Sequence, residues 1–556
     1  MKRTTGLLII LIATCALVFG AGAKEQVTQT VQIEEEVTQM GPLNSNPLSD
    51  VRVRQAIAYA IDMDAIIEGL LPGAVAADSL TPNNEWKVAG LEAYSYNPGK
   101  AKQLLKDAGW DSAKVLDLVY YYGDQQTVDL MATVQAYLAD VGIKVVPRKL
   151  EGDLNSQLWV APKDPVNGTS AVAWDLAYAG LAVVSQYEYY NRFLSGAATN
   201  SHTPGNAELD ALLDAVNKTN KVAEQKEYFG KIQQFENKYL PIIPLYYQQL
   251  FVVESDRLTR NGAGYGNEQY AYDWKIQTWD IKPNADGRKV MKANGGPLQF
   301  FEAPFVAPAI FTSQKVLFDR LIVADGGLQN FRGQLAKEYS VSADGLTISF
   351  TMKDNIYWHD GSPITAQDVK FTWELAAKVS SVNVLFSGLF KTIVGYADFN
   401  TKKTNELSGI TVKDNTVTFK FASIFPNALV ALSQLPPLPQ KYLGTADPLQ
   451  IQQSPYWQNP IGSGPYMVKE VRMNNYCVLV PFGKYHEGRG IIDEIQLYPS
   501  GESDPNLVKN ALAGQLDYGW TKSLTDANAL KSVAGLKVMP YDMNYTRLIY
   551  VNKFAK

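Results

Sequence analysis

The residue types that most often catalyse reactions or bind metals are sparse and scattered in this chain. Its three histidines are His202, His359 and His486, and none lies three or four residues from another histidine or from a cysteine. This spacing excludes the common zinc-ligand patterns. The chain also lacks the Gly-x-Ser-x-Gly turn that exposes a nucleophilic serine, and the Gly-rich loop ending in Lys-Ser or Lys-Thr that binds phosphate. The residues therefore favour binding over catalysis.

Carboxylate side chains offer a second kind of chemistry. A pair of Asp or Glu residues at a suitable separation can hydrolyse a glycosidic bond. The chain has 56 acidic residues, and their spacing singles out no pair. A secreted glycan-degrading enzyme therefore remains a less favoured hypothesis, and we predict no catalytic residue, no metal site and no cofactor.

Aromatic side chains, which can form a binding site, are abundant in this chain. The 556 residues include 31 Tyr and 10 Trp. The formal charge is −5, and the charges are spread along the chain without the basic region that is typical of nucleic-acid-binding proteins. We therefore expect a globular protein rich in aromatic residues that has no nucleic-acid partner.

The first 23 residues have the pattern of a secretory signal peptide. Lys2 and Arg3 precede an apolar run over residues 7–19, and the small residues 21–23 follow as a cleavage site. The run is shorter than the ~20 residues that a membrane-spanning helix needs. We therefore expect an exported protein, located in the periplasm or at the cell surface.

The two cysteines bear on anchoring and on disulfides. Cys15 lies inside the apolar run, but Thr14 occupies the position where a lipoprotein signal has a small Gly or Ala, so we expect no lipid anchor. Removal of the signal leaves Cys477 as the only cysteine, which excludes an intramolecular disulfide. Cys477 lies in a strand-like run, and we expect it to be buried and inert.

Periodicity divides the rest of the chain into regions of different character. Residues 24–46 are polar and weakly alternating, which predicts a tether or an edge strand. Residues 47–255 contain a strand, a helix and a second strand over residues 115–146, the order of a βαβ unit with parallel strands. The pattern fades over residues 256–285, which we interpret as a linker. Residues 286–556 predict a mixed α+β region.

Local signals mark where individual elements begin and end. Asn97 is a helix-capping residue followed by proline, and Gly109 is a helix stop, so a helix is predicted between them. Alternation of apolar and polar residues over 346–352 predicts a strand with one buried face. Thr365 and Asp368 form a capping-box pattern, which predicts the start of another helix.

Several segments match motifs of one known family. Residues 357–369, YWHDGSPITAQDV, are similar to its "WHDG-x-P-x-T-A-x-D-V" signature, residues 459–466 to "NPIGTGPY", and residues 51–62 to "VRQAL-x-x-AID". Residues 335–346, 96–109 and 513–518 resemble three further motifs. The chain therefore resembles the family 5 extracytoplasmic solute-binding proteins, which serve ABC importers of peptides, nickel chelates and oligosaccharides.

The resemblance implies an α/β fold with two lobes, of the periplasmic-binding-protein type II class with an extra subdomain, that closes on its ligand by a hinge. In the family, however, the segments matching 357–369 and 459–466 come before the one matching 51–62. The order predicts a circularly permuted chain, and the alternative is a join between halves of two neighbouring genes.

The permuted order also predicts how the lobes divide. Residues 47–255 would form the family's later lobe, and residues 286–556 the second lobe, with a subdomain inserted at about 316–445. Residues 256–285 would be the single covalent linker between the lobes. Residues 24–46 would help to replace the missing connection by pairing with the sheet of one lobe.

The resemblance also bears on the ligand. Peptide binders of the family hold the peptide ammonium with an Asp in a "GW-x-AD-Y" segment, and residues 180–187 match this segment with Val184 at the position of that Asp. A buried ammonium without a carboxylate is poorly compensated, whereas aromatic rings can stack on sugars. We therefore expect an oligosaccharide ligand, with an oligopeptide as the alternative.

Six aromatic residues are the candidate ligand contacts. Trp520, Tyr187 and Tyr189 lie at loop positions that the family uses, Phe305 lies in a region that reaches the cleft in relatives, and Tyr121 and Tyr122 lie at the end of a strand. The resemblance implies the permease subunits of an ABC importer as partners, and the composition suggests a monomer. A surface adhesin or a chemoreceptor adaptor remains open as a hypothesis of another class.

Overall fold

The computed structural model describes residues 43–262, 270–295, 301–306, 312–379, 384–500 and 506–556. The predicted signal peptide and most of the predicted tether, residues 24–42, lie outside the described residues. Among the described residues, no helix has both the length and the apolar character needed to cross a membrane.

The described chain alternates strands and helices. In chain order, the strands are β1 (Val75–Ala76), β2 (Val115–Tyr120), β3 (Lys144–Lys149), β4 (Leu176–Ala182), β5 (Ile242–Tyr247), β6 (Leu250–Ser255), β7 (Leu258–Arg260), β8 (Trp279–Ile281), β9 (Val290–Asn294), β10 (Ile322–Ala324), β11 (Phe331–Gly333), β12 (Ala336–Val341), β13 (Thr347–Met352), β14 (Ile410–Lys413), β15 (Thr416–Lys420), β16 (Tyr466–Arg472), β17 (Tyr476–Pro481), β18 (Glu494–Tyr498), β19 (Tyr518–Thr521), β20 (Leu536–Tyr541) and β21 (Tyr545–Val551). The α-helices are α1 (Val51–Ala60), α2 (Met63–Gly69), α3 (Pro98–Asp107), α4 (Gln125–Asp140), α5 (Leu154–Leu158), α6 (Gln186–Tyr190), α7 (Ala207–Asn217), α8 (Val222–Tyr239), α9 (Thr312–Leu317), α10 (Ala366–Ala376), α11 (Val384–Thr392), α12 (Tyr396–Asn400), α13 (Ala428–Gln434), α14 (Gln440–Leu443), α15 (Asn506–Leu512) and α16 (Leu524–Lys531).

The first lobe is built on a six-stranded sheet with the order β1-β5-β21-β4-β2-β3. Strand β2 is parallel to both β3 and β4, and helix α4 connects β2 to β3, so the predicted βαβ unit is confirmed. The Asp124 side chain accepts a hydrogen bond from the Thr127 N–H at the start of α4. Gly142 follows the helix with φ of 90°, a backbone conformation that suits glycine and turns the chain back towards the sheet.

The second lobe contains a seven-stranded sheet with the order β16-β17-β18-β9-β19-β6-β20. A separate four-stranded sheet, β12-β13-β15-β14, falls within the predicted insertion at 316–445, and we call this region the subdomain. In β13 every second residue is buried, as the alternation over 346–352 predicts. Helix α10 begins with the predicted capping box of Thr365 and Asp368, and its Trp373 ring packs against Phe419 of β15.

The sheets show where the chain passes between the lobes. Strand β5 lies in the six-stranded sheet and β6 in the seven-stranded sheet, so one passage occurs at residues 248–249. Strand β20 lies in the seven-stranded sheet and β21 in the six-stranded sheet, so a second passage occurs at residues 542–544. This differs from the predicted single linker at 256–285, a region that contains the paired strands β7 and β8. Hydrophobic patterning does not encode which sheet a strand joins, and β21 therefore fell into the wrong predicted lobe.

Two segments that are distant in the sequence are joined in the first lobe. The Asn46 amide donates hydrogen bonds to the carbonyl oxygens of Asn552 and Phe554, at 2.8 and 2.9 Å, and the Asn44 amide donates to the carbonyl of Lys553. Close by in the sequence, the buried Arg54 guanidinium donates to the carbonyl oxygens of Leu48 and Ser49 and to those of Tyr239 and Leu240 at the end of α8. Residues 44–46 therefore fasten to the chain that follows β21, within one lobe.

Candidate functional site

A cavity of about 500 Å³ lies where the first lobe faces the subdomain and the passage at 542–544. Its aromatic lining residues are Trp86, Tyr187, Phe229, Phe331, Tyr339 and Phe425. Its amide-bearing lining residues are Gln186, Asn220, Gln225, Gln329, Asn330, Asn427 and Asn544. None of the described residues that line it is Asp, Glu, Lys, Arg or His. The cavity is therefore an uncharged space that offers rings for stacking and amides for hydrogen bonding.

A second, smaller cavity continues the first one. It has a volume of about 130 Å³ and shares Trp86, Leu328 and Asn544 with the larger cavity. It extends past residues 542–544, the passage between β20 and β21. A ligand in the combined space would contact the first lobe, the region around Leu328 and one of the two inter-lobe passages, as expected for a site that closes by a hinge.

The first-lobe wall is formed where β4 ends and α6 begins. Gln186, the first residue of α6, is 2% exposed. The Thr81 hydroxyl donates to Gln186 Oε1 at 2.7 Å, and the Tyr190 hydroxyl lies 2.9 Å from Thr81 Oγ1. The Tyr190 hydroxyl also lies 2.9 Å from Glu236 Oε2. A chain of hydrogen bonds thus runs from a buried carboxyl group to the cavity wall.

Glu236 ends this chain in a fully desolvated position on α8. The Leu80 N–H donates to its Oε1 at 2.8 Å. Burial raises the pKa of Glu236 to about 8, because desolvation penalises the charged carboxylate. The Tyr190 hydroxyl donates to Glu236 Oε2, which favours the carboxylate, but the effect of desolvation on the pKa is the larger one.

The opposite wall belongs to the subdomain. The Asn427 amide donates to Ser185 Oγ at 2.5 Å, which connects the subdomain to the first lobe across the cavity. The rings of Phe425 and Tyr187 meet edge to face with their centroids 6.0 Å apart. A movement of the subdomain relative to the first lobe would therefore change the width of the cavity.

Val184, which the motif resemblance aligns with the Asp of the family's peptide binders, also lines the cavity. A carboxylate in the same segment, Glu188, does not line it. The Val184 N–H donates to Glu188 Oε2 at 3.3 Å, and burial raises the pKa of Glu188 to about 7. No carboxylate of this segment therefore faces the cavity.

The structure brings one of the six candidate contacts, Tyr187, into the lining of the larger cavity. Tyr189 is fully buried behind the wall, with its hydroxyl 3.3 Å from Thr546 Oγ1. Trp520 lies in β19 and Phe305 in the core of the second lobe, and both are at most 1% exposed. The resemblance could not say which way each of these three rings points.

Tyr121 and Tyr122 lie together at the end of β2, away from both cavities. Their hydroxyl oxygens are 3.0 Å apart. The Arg547 guanidinium lies 4.2 Å from the centre of the Tyr122 ring and donates to Gln248 Oε1. Because Gln248 lies in one passage and Arg547 lies in β21 just after the other, this cluster contributes to the junction of the lobes.

The histidines have structural surroundings. The ring of His359 connects two of the motifs, since the Gly462 N–H donates to its Nδ1 at 3.1 Å and its Nε2 lies 3.0 Å from the Gly464 carbonyl. Burial lowers the pKa of His359 to about 4, and it also lowers the pKa of His202 well below its usual value. In the part of the chain that the structure describes, no group of three or more His, Cys, Asp or Glu could hold a metal ion.

Comparison with known proteins agrees with the motifs. The family model of the bacterial extracellular solute-binding proteins, family 5, matches residues 19–199 and 330–553, which is more than half of the chain. The chain belongs to this family. Both the first-lobe wall at 184–187 and the subdomain wall at 425–430 fall within the matched residues.

Individual relatives match the family 5 chain over shorter stretches. A Brucella ovis protein named for ABC transporter peptide binding is 28% identical over 241 residues, 43% of this chain and 42% of the relative. The Escherichia coli dipeptide-binding protein is 44% identical over 78 residues, 14% of this chain and 15% of the relative. The chain thus spans less than half the length of these relatives. Among solved structures, Bacillus subtilis AppA in complex with a nonapeptide has a TM-score of 0.35, with 23% identity over 45% of this chain and 46% of AppA.

The residues that sequence reasoning missed come from distant parts of the chain. Asn427 and Phe425 of the subdomain carry no local pattern that indicates a binding wall. Gln186 is the exception, because it lies next to Tyr187 in the segment that matches the family's ligand-binding motif.

Proposed function

We propose that this chain is the substrate-binding protein of an ABC importer and that it binds peptides in the cavity between the first lobe and the subdomain. The Brucella and Escherichia coli relatives are named for peptide binding. These names support the peptide hypothesis rather than the oligosaccharide that the aromatic content first suggested. The ring-rich walls suit apolar peptide side chains as well as they suit sugars.

The observation that carries the proposal is the paired arrangement of amides and rings around the cavity. Each Asn or Gln side chain has donor hydrogens and an acceptor oxygen, so it can pair with both the C=O and the N–H of a peptide backbone. Seven such amides line the cavity, those of Gln186 and Asn427 on opposite walls already make one hydrogen bond each within the protein, and Tyr187 and Phe425 place rings beside them. The subdomain and the first lobe would hold the ligand between them.

The remaining parts of the proposal concern location and partners. Residues 1–23 would direct export, and the mature chain would act outside the cytoplasm as a monomer. It would pass its ligand to the permease subunits of the importer. The description of the family as extracellular solute-binding proteins supports this location.

A thermal-shift comparison tests the ligand class. The mature chain, residues 24–556, is heated alone, with a mixed tripeptide library, and with a mixture of oligosaccharides. A ligand at 100 times its dissociation constant stabilises the folded state by about 2.7 kcal/mol, so the peptide library should raise the unfolding temperature clearly. A shift with oligosaccharides alone, or with neither mixture, would refute the proposal. Tyr442→Ala, an exposed ring outside both cavities, should shift as the wild type does.

We also propose that the segment order is a circular permutation. The hydrogen bonds from Asn44 and Asn46 to residues 552–554 support this, because they hold the two segments that the family order would make continuous. A rearranged chain that runs from 286 to 556 and then from 44 to 285 should unfold within about 5 °C of the original chain and bind the same peptides. A rearranged chain that fails to fold would contradict the proposal.

A further inference from the structure

The turn of one β-hairpin in the subdomain lines both cavities. Strands β10 and β11 form this hairpin and pair antiparallel, with Val323 opposite Arg332. The turn between them, residues 325–330, contributes residues 326–328 to the smaller cavity and residues 328–330 to the larger one. A ligand in the combined space would therefore lie against this turn.

The turn has a conformation that leucine rarely adopts. Leu328 has φ of 57°, in the left-handed region that is costly for a bulky side chain. The Asp325 carboxylate fixes the turn, because it accepts from the N–H groups of Gln329 and Asn330 at 3.1 and 3.3 Å and from the Asn330 amide at 2.6 Å. Such strain persists only where neighbouring contacts hold it, and it is concentrated at functional sites. The turn is therefore preorganised to contact a ligand.

The base of the hairpin is fixed by the second lobe. Three consecutive residues, Tyr485, His486 and Glu487, lie in the loop between β17 and β18. The fully buried Asp319, which precedes β10, accepts from the Tyr485 hydroxyl at 3.2 Å and lies 2.7 Å from His486 Nε2. Arg332 of β11 donates to Glu487 Oε1 at 2.8 Å. One loop of the second lobe thus contacts both ends of the hairpin.

Further charged groups complete this junction. Arg332 also donates to Asp273 Oδ1 at 2.5 Å, so its guanidinium bridges two carboxylates. Lys353, which follows β13, lies 3.2 Å from His486 Nδ1 and 3.7 Å from Glu487 Oε1. An ammonium group has only donors, so His486 accepts at Nδ1 and donates from Nε2 to Asp319. Removal of one partner from a buried charged pair is strongly destabilising, so the loss of His486 or Glu487 should displace the hairpin.

We propose that His486 and Glu487 are positioning residues for ligand binding, which fix the base of the β10–β11 hairpin from the second lobe and thereby place its turn against the ligand. Neither residue is among the described residues that line the two cavities, so each acts through the hairpin. The effect on affinity rests on the proposed function, the binding of peptides in these cavities. The effect on the hairpin can be measured without a ligand.

The first experiment measures the hairpin in the ligand-free protein. Amide hydrogen exchange of residues 322–333 is followed by mass spectrometry in the wild type, His486→Gln and His486→Leu. Glutamine can donate to Asp319 and accept from Lys353, whereas leucine can do neither. Exchange in the hairpin should be about tenfold faster or more in His486→Leu than in the wild type, and within about threefold of the wild type in His486→Gln. Unchanged exchange in His486→Leu would overturn the inference.

The second experiment measures the affinity of the same proteins for a peptide recovered from the tripeptide library, by calorimetry. The affinity should fall by about tenfold or more in His486→Leu and in Glu487→Ala, and should return to within about threefold of the wild type in His486→Gln. Lys337→Met, at an exposed position on β12, is the control and should keep the affinity within about threefold.

The two experiments separate positioning from a general loss of stability. If His486→Leu and Glu487→Ala lower the free energy of unfolding but leave the affinity of the folded protein unchanged, the inference is overturned. If His486→Leu does not fold, Glu487→Ala is used for both measurements, with the same results expected. If no peptide binds to the wild type, the proposed function is refuted, and hydrogen exchange alone decides whether these residues fix the hairpin.

Discussion

Replacement of Glu236 by Gln should remove a pH dependence from the stability of this protein. The buried Glu236 carboxyl accepts from the Leu80 N–H and lies 2.9 Å from the Tyr190 hydroxyl. A glutamine can make both contacts, because its oxygen accepts from Leu80 and its NH₂ group donates to Tyr190. Glu236→Gln therefore resembles the protonated wild-type residue at every pH.

The sign follows from the direction of the pKa shift. Burial raises the pKa of Glu236 from its ordinary value of 4.5 to about 8. Between these two pH values the folded state keeps a proton that the unfolded state releases. Stability is then greatest below the unfolded pKa and is lost as the pH rises through the folded pKa. The neighbouring charges are Lys87 and Asp78, which form an ion pair and act on Glu236 in opposite directions.

The magnitude follows from the same shift. Each pKa unit corresponds to about 1.4 kcal/mol, so between pH 6 and pH 8 the wild type should lose about 2 kcal/mol relative to Glu236→Gln. Urea unfolding of both proteins, followed by tryptophan fluorescence at pH 6, 7 and 8, measures this difference. Because the unfolded carboxyl ionises above its ordinary pKa of 4.5, the variant should already be the more stable by about 2 kcal/mol at pH 6, and by about 4 kcal/mol at pH 8.

The control is Glu227→Gln, an exposed position on the same helix, α8. Its stability relative to the wild type should not change between pH 6 and pH 8. If the difference in free energy of unfolding between the wild type and Glu236→Gln is also constant from pH 6 to pH 8, Glu236 is not protonated in the folded state. The pKa of Glu236 is then not raised as stated above.

Three further predictions concern the cavity, the junction and the thiol. Tyr187→Ala removes a ring from the cavity wall and should weaken peptide binding, measured by calorimetry, by about tenfold or more; an unchanged affinity would place the ligand elsewhere. Asn46→Ala leaves two buried carbonyl groups without their amide donor and should lower the free energy of unfolding by about 1–3 kcal/mol. A change below ~0.5 kcal/mol, measured by urea unfolding, would contradict this prediction. Burial raises the pKa of Cys477 to about 12, so in a Cys15→Ser variant it should react with Ellman's reagent only after unfolding, and rapid reaction of the folded protein would contradict this.

Local elements could be predicted because their causes are local. Helix α3 begins after the Asn97 cap and ends before Gly109, as predicted, and α10 begins at the Thr365 capping box. Such signals involve residues within one turn of each other, so the order of amino acids alone contains them. The βαβ unit and the alternation of β13 are predictable for the same reason.

The candidate site was predictable only in part. Tyr187 and the neighbouring Gln186 lie in a segment that the family motif marks, and Tyr187 does line the cavity. Trp520 and Phe305 were also predicted as ligand contacts, but both rings are buried in the core of the second lobe. An aromatic ring stabilises a core as well as it binds a ligand, so residue type does not separate the two roles.

The amino-acid sequence by itself determined the family, the helices and strands with local caps and periodicities, and the absence of the common catalytic motifs. The tertiary structure alone decided that β21 joins the first-lobe sheet, that the lobes are connected twice, and that residues 184–187 face residues 425–430 across an uncharged cavity. The physical reason is separation along the chain. Contacts between residues that are hundreds of positions apart depend on how whole sheets pack, and the pattern within one segment does not predict them.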